Sequence, residues 1–301
     1  MVNLGQSCYF NATLQCLAAC EKVRSLLEGS HTDSESFTAN LKNLIMKMSE
    51  GNLIIRPTTL FRLLVGDDGN DFHASQPADA HEFLIFTIDR VVEELGRPVS
   101  IEVQGEARND NEATLIASFH AFRKAFRDRY SPAVDTFFGL SGADLRSQDT
   151  DFKTCIFDTF STLNLPLPMK NGALTLYECL DACLCTEDLD GDNKYFDEGA
   201  GCLVRAKKTH ALWRLPCLLA VVLNRFGESK DTRMVDAPLV LELDRLQAVC
   251  NHIGNHASGH YSACVLEGDV WHEIDDATIT AIETGDAVSG DAYILFYVLS
   301  D

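Results

Sequence analysis

The chain has 301 residues, 46% of them hydrophobic, enough for one large domain or two moderate ones around a substantial core. Its formal charge of −20 argues against nucleic acid as a partner and for a basic one, because the long-range field repels phosphate and attracts cations. No apolar run reaches the roughly 18 residues of a membrane span and no signal-peptide pattern opens the sequence, so an intracellular protein, cytoplasmic or nuclear, is expected. The 11 cysteines are odd in number and irregular in spacing, which fits buried thiols in a reducing compartment better than a disulfide framework.

In chain order, residues 3–15 come first, a glycine-containing loop running into a segment whose apolar positions 10, 14, 17 and 18 recur at helical spacing. Cys8 sits where that helix begins. Unpaired N–H groups and the positive end of the helix dipole are expected there to lower its pKa below that of free cysteine and to make it a nucleophile. Asn11-Ala12-Thr13 matches a glycosylation sequon by chance only, since a glycan three residues from Cys8 would cover the site. Helices are expected over 41–48, 78–95 and 112–130, the second with a stripe of Phe83, Leu84, Phe86, Thr87 and Val91; residues 96–111 read as a polar loop or two short strands.

From about residue 131 the pattern changes. Residues 137–139 and 152–160 are strand-like, 163–168 extended, and 174–183 a short helix. Residues 173–202 carry eight acids and one lysine and read as an exposed, mobile arm. Beyond residue 203 strands dominate, with a continuous apolar run at 218–223 suited to a strand buried on both faces, followed by 240–243, 261–266, 270–274 and 292–299. A helical first half and a mostly antiparallel second half predict an α+β enzyme with its site in the cleft between lobes.

Thiol catalysis requires a base, an orienting group and oxyanion donors. Gly259-His260 opens one predicted strand, with the glycine permitting a tight turn, and Asp275 closes the next; a hairpin of the two would set Asp275 beside His260. Two metal-like patterns are weaker. His252, His256 and His260 are spaced by four, but Gly254 and Gly259 argue for a loop. Asp188, Asp190 and Asp192 open like an EF-hand loop, yet Asn193 and Gly199 stand where glycine and glutamate are needed.

In this ordered set of motifs the chain resembles the ubiquitin-specific proteases, papain-like deubiquitinating enzymes, over nearly its whole length. The resemblance rests on the cysteine box at 3–15, Asp79-Ala80-His81-Glu82-Phe83-Leu84, the segment 215–226, His252-Ile253-Gly254 with Gly259-His260-Tyr261, Ile274-Asp275-Asp276, and 292–297. It implies a single catalytic domain over 1–301, with a helical thumb (1–130), β-rich fingers (131–202) and an antiparallel-sheet palm (203–301). It also implies roles: Cys8 attacks the carbonyl of the ubiquitin C-terminal glycine, His260 moves the proton, Asp275 orients His260, Asp276 shares the orienting or polar-support role, and Asn3 donates to the oxyanion. Asp79 and Glu82 would grip the arginine-containing ubiquitin tail. Partners would be ubiquitin and ubiquitinated proteins. A ubiquitin-binding module without strong turnover, and a protease for another ubiquitin-like modifier, are the competing readings.

Departures from the family pattern follow the resemblance. The two Cys-x-x-Cys pairs that hold zinc in many relatives would fall near Ser147 and Thr150 and near Asp197 and Ala200, none of them cysteine. No zinc or other cofactor is expected, and the fingers are expected to be held by packing alone. Pro77, Ala78, Gln6, Cys264 and His272 also replace residues usual in the family, and Asn3, near the start of the sequence, is expected to be prone to fraying.

Overall fold

A helix buried around most of its circumference has to be enclosed on several sides, and α1 (Cys8–Ala19) is such a helix: Tyr9, Phe10, Leu14, Cys16 and Leu17 are buried, as are the polar Asn11 and Thr13. In the computed structural model, which describes residues 1–51, 53–67, 69–100, 106–242, 244–255 and 258–299, helices supply one side of that enclosure and a large sheet the other. The helices are α2 (Glu21–Glu28), α3 (Phe37–Ser49), α4 (Thr58–Val65), α5 (Ala80–Leu95), α6 (Asp110–Phe126) and α7 (Pro132–Phe137).

Strands follow: β1 (Gly139–Ser147), β2 (Lys153–Phe160), β3 (Thr162–Leu165) and β4 (Leu174–Thr175), then helix α8 (Leu176–Cys183). After it come β5 (Thr186–Leu189), β6 (Tyr195–Asp197), β7 (Cys202–Val204), β8 (Ala206–Arg214) and β9 (Leu218–Leu223). The C-terminal part holds β10 (Val235–Asp236), β11 (Val240–Leu241), β12 (Asp244–Gly254), β13 (Gly259–Glu267), β14 (Val270–Asp275), β15 (Thr278–Ile282) and β16 (Ala292–Leu299).

The large sheet runs β15-β14-β13-β12-β16-β9-β3, with β11 attached to β12; β3 and β9 are parallel and the other neighbours antiparallel. Every residue of β9 is buried, as its unbroken apolar run predicts, because core lies on both faces of the sheet. On one face Phe10, Leu14, Leu17 and Phe83 pack with Ala220, Val222 and Phe296; on the other Leu176 and Cys179 of α8 pack with Val221, Leu295 and Trp271. Full burial of one such leucine or phenylalanine stabilises by about 1.5–3 kcal/mol.

Several boundaries move for local reasons. The helix expected over 78–95 starts at Ala80 because Asp79 is its N-cap, accepting from the N–H groups of His81 and Glu82. That expected over 41–48 extends back to Phe37, capped by Ser36; that expected over 112–130 is α6, capped by Asn109 and ending at Phe126. Phe137 and Phe138 are not in a strand: Pro132 at the first turn starts α7, which ends at Phe137, and β1 begins at Gly139. Part of the loop expected over 96–111 lies outside the described residues.

The acidic segment 173–202 is not an arm. Thr175 and Glu178 form a reciprocal capping box at the start of α8, Leu176 and Cys179 are buried, and β5 pairs with β8 across Glu187–Lys208 and Asp188–Lys207. Most of its acids are exposed to solvent, but Asp197 is buried and hydrogen-bonded.

Candidate active site

Cys8 is the first residue of α1, where the sequence places it, and it is 7% exposed. The N–H groups of Tyr261, Tyr9 and Cys8 itself favour its thiolate, but burial is the larger effect and the Asp276 carboxylate adds to it, so its pKa is raised, not lowered. The expectation from the helix terminus alone is thereby overturned: a helix N-terminus under a sheet is also a desolvated one. We expect the rate of Cys8 alkylation by iodoacetamide, followed by mass spectrometry, to climb steadily above the titration range of a free thiol; a plateau near neutral pH would contradict this.

His260 lies on β13 and Asp275 at the end of β14, and the antiparallel hairpin brings His260 Nε2 to 2.6 Å from Asp275 Oδ1. With Nε2 so engaged, Nδ1 is the ring nitrogen left for a second partner. Among the described residues no hydrogen bond joins Cys8 Sγ to this ring, although the sulfur is served by the N–H of Tyr261, the residue after His260.

Gly259 has a different reason from the tight turn inferred for it: a Cβ there would stand 2.0 Å from His252 Nε2. The turn glycine is Gly254, at φ 124°. His252 is buried on β12, its ring centroid 5.1 Å from that of Phe226 and 4.8 Å from that of Tyr261, so it belongs to the core and not to a helical metal triad. His256 lies outside the described residues.

Asp276 occupies the two-residue turn between β14 and β15 in the left-handed region, φ 50°, a conformation aspartate tolerates better than most residues. Its Oδ2 accepts from Asn3 Nδ2 at 2.8 Å and its Oδ1 from Asn11 Nδ2 at 2.6 Å. Asn3 Oδ1 in turn accepts from Gly5 N at 3.0 Å and Ser7 Oγ at 3.2 Å. Asn3 is therefore fixed rather than frayed, with Met1 buried and Val2 N bonded to Ile55 O at 2.9 Å beside it. An amide nitrogen has two hydrogens; the second on Asn3 has no partner among the described residues. Asn11 is buried and bonded to Asp276, which removes the glycan reading.

Asp79 and Glu82 part company. Besides capping α5, Asp79 accepts from Tyr261 Oη at 3.0 Å and from Tyr293 Oη at 3.2 Å, tying the helical lobe to β13 and β16. Glu82 is exposed without a side-chain partner among the described residues. Desolvation, then Asp79 and then Asp71, push its carboxyl pKa up, a strain that an arriving guanidinium would relieve. Asn11, Ser7, Tyr261 and Tyr293 make contacts that the sequence reading missed; an asparagine one helical turn after Cys8, among apolar neighbours, is the signal that could have disclosed the first.

The sequence profile of the family described as ubiquitin carboxyl-terminal hydrolase matches residues 1–297. The chain belongs to this family. Its α+β architecture is that of a papain-like ubiquitin carboxyl-terminal hydrolase domain of the ubiquitin-specific type. The chain is 29% identical over 332 residues to ubiquitin carboxyl-terminal hydrolase 2 of Homo sapiens, covering 99% of this chain and 54% of that protein. With ubiquitin carboxyl-terminal hydrolase 21 of Rattus norvegicus it shares 26% identity over 349 residues, 99% of this chain and 60% of the relative. With ubiquitin carboxyl-terminal hydrolase Usp2 of Drosophila melanogaster the figures are 28% over 328 residues, 98% and 34%. The chain thus spans between about a third and three fifths of these relatives' lengths.

The four positions where zinc-binding cysteines would fall meet in space as a hydrogen-bonded clasp. Thr150 Oγ1 donates to Asp197 Oδ2 at 2.8 Å, Asp197 Oδ1 accepts from Ala200 N at 3.1 Å, and Ser147 Oγ accepts from Thr150 N at 3.0 Å. Arg205 adds a bidentate pair with Asp149. Hydroxyls, one carboxylate and an alanine do not fit a structural zinc site, and packing alone does not describe this tip either. Thr150 and the Ala200 and Gly199 amides hold the Asp197 carboxyl below the usual range, so the clasp is complete above that range and is lost as pH falls through the lowered value. Thr150→Val is expected to lower the thermal midpoint at pH 7 by about 2–4 °C; an unchanged midpoint in a scanning fluorimetry series would contradict a stabilising clasp.

Proposed function

We propose that the protein is a thiol-dependent deubiquitinase that hydrolyses the isopeptide or peptide bond after the C-terminal glycine of ubiquitin. The observation that carries this reading is the His260–Asp275 pair set over the amino end of the Cys8 helix. In a resting enzyme the raised thiol pKa keeps Cys8 protonated. Substrate binding brings His260 Nδ1 within reach, a tightening common between free and substrate-bound enzymes. Nδ1 takes the thiol proton as sulfur attacks the glycine carbonyl, and Asp275 on Nε2 stabilises the imidazolium.

The tetrahedral oxygen then takes hydrogen bonds from the Cys8 N–H and from the second hydrogen of Asn3 Nδ2, which Asp276 and Ser7 hold in place. Collapse expels the amine, which leaves with the proton from His260. Water, deprotonated by the same ring, cleaves the resulting thioester and regenerates the thiol. Glu82 offers the charge-assisted grip on a guanidinium of the ubiquitin tail, and Asp79 supports the wall beside it.

In this reading residues 1–130 form the thumb, 131–202 the fingers and 203–301 the palm of one catalytic domain, and ubiquitin and ubiquitinated proteins are the partners. Ubiquitin whose C-terminal carboxylate is replaced by a thiol-reactive electrophile tests it: a one-to-one adduct mapped by mass spectrometry to Cys8 is expected. Tight binding of ubiquitin without an adduct would favour a binding module, and an adduct only with another ubiquitin-like modifier would change the substrate.

A further inference from the structure

The hairpin that carries Asp275 and Asp276 ends in an open edge. β15 is the terminal strand of the large sheet, and among the described residues its outer side pairs with nothing. An edge strand presents unpaired N–H and C=O groups and is usually protected by charge, proline or a bulge. The five residues of β15 are Thr278, Ile279, Thr280, Ala281 and Ile282, and its register with β14 is regular from Trp271–Ile282 to Asp275–Thr278, so none of those protections is present.

Beside this edge lies a groove of about 1020 Å³ between the sheet, the end of α1 and the segment after α3. Ile279 faces it, 63% exposed, opposite Leu53 at 60% and Ile54 at 78%. A strand added to β15 would therefore lay every second side chain toward Ile279, Leu53 and Ile54, the apolar part of a groove whose other walls are polar. Along the hairpin itself the charge is of one sign: residues 270–286 contain Glu273, Asp275, Asp276, Glu283 and Asp286 and no lysine or arginine, while Arg24 and Arg245 lie with Glu21 and Glu267 on the groove walls. A second copy of this chain would bring the same acids against them.

We propose that β15 is a docking edge for an extended basic peptide of a partner protein, with β-branched or apolar residues at alternate positions and lysine or arginine at its ends, added as a further strand of the sheet. The last residue of β14 is the aspartate bonded to His260, and the turn into β15 begins with the aspartate bonded to Asn3 and Asn11. Docking therefore braces those carboxylates. The binding rests on the strand alone; its effect on turnover rests on the roles proposed above for Asp275 and Asp276.

The test uses the 301-residue chain, the synthetic peptide acetyl-Lys-Arg-Thr-Val-Thr-Val-Thr-Lys-Arg-amide, and a counterpart in which the basic ends are Glu and Asp. Fluorescence polarisation is expected to show at least tenfold tighter binding of the basic peptide, with amide exchange slowed at residues 278–282. Ile279→Lys, and separately Ile54→Lys, are expected to weaken binding at least tenfold while leaving hydrolysis without peptide unchanged. Saturating peptide is expected to raise kcat several-fold. Equal binding of the two peptides, protection elsewhere, or a concentration-dependent dimer through β15 would overturn the docking proposal. Binding with unchanged kcat in an active enzyme would overturn the bracing. An inactive chain that still binds the basic peptide at β15 would refute the deubiquitinase reading and leave the docking intact.

Discussion

Replacing Cys8 by alanine is expected to lower hydrolysis of a ubiquitin C-terminal fluorogenic substrate by on the order of 10⁴-fold or more. Cys8 is buried at the start of α1, so the change removes one sulfur without exposing a new polar group, and the fold is expected to survive it. In the proposed mechanism His260 contributes only through that sulfur or through the water that follows it. The variant Cys8→Ala, His260→Ala should accordingly be no slower than Cys8→Ala, because groups that act as a unit are not additive. Turnover in Cys8→Ala, with a melting curve showing a folded protein, would remove Cys8 from the nucleophile's role.

Asp276→Ala is expected to give the second largest loss, about 10²–10³-fold in kcat with little change in KM, the range found when an oxyanion donor is removed. Asp276 touches no part of the proposed path directly; it receives Asn3 and Asn11, one on each carboxylate oxygen. Alanine frees Asn3 to turn away and leaves the buried Asn11 amide without its acceptor. Asp276→Asn should be impaired as well, since an amide nitrogen would then face one of the two asparagine donors. A loss confined to KM, or equal losses of kcat in Asp276→Ala and in a variant altered only at the surface, would place Asp276 outside this machinery. A shift in the ratio of thioester formation to thioester hydrolysis is the signature that mere destabilisation would not produce.

The parts of the site that rest on local periodicity were legible before the fold was known. The helix after Cys8 and the two strands carrying His260 and Asp275 are short-range patterns, and a hairpin converts their separation along the chain into proximity. Strand β12 was less legible: Asp244–Gly254 mixes polar and apolar residues because Leu246, Ala248 and Cys250 face one core or the other while Asn251 and His252 are also buried. The raised Cys8 pKa was misjudged for a related reason. A helix terminus is visible in sequence, but the strand packed over it and the carboxylate 268 positions later are not. The clasp at Thr150 and Asp197 also joins residues 47 apart through single hydrogen bonds, with no motif to announce it.

Asp79 begins α5 and also ends the hydroxyl bonds of two tyrosines from different strands of the sheet. A variant at this position consequently perturbs the registration of helical lobe against sheet as well as the tail binding proposed above, and a raised KM for Asp79→Ala cannot be converted into the energy of a contact with substrate. Glu82, exposed and without a side-chain partner among the described residues, is the position at which the proposed affinity for that tail can be measured with less disturbance of the fold.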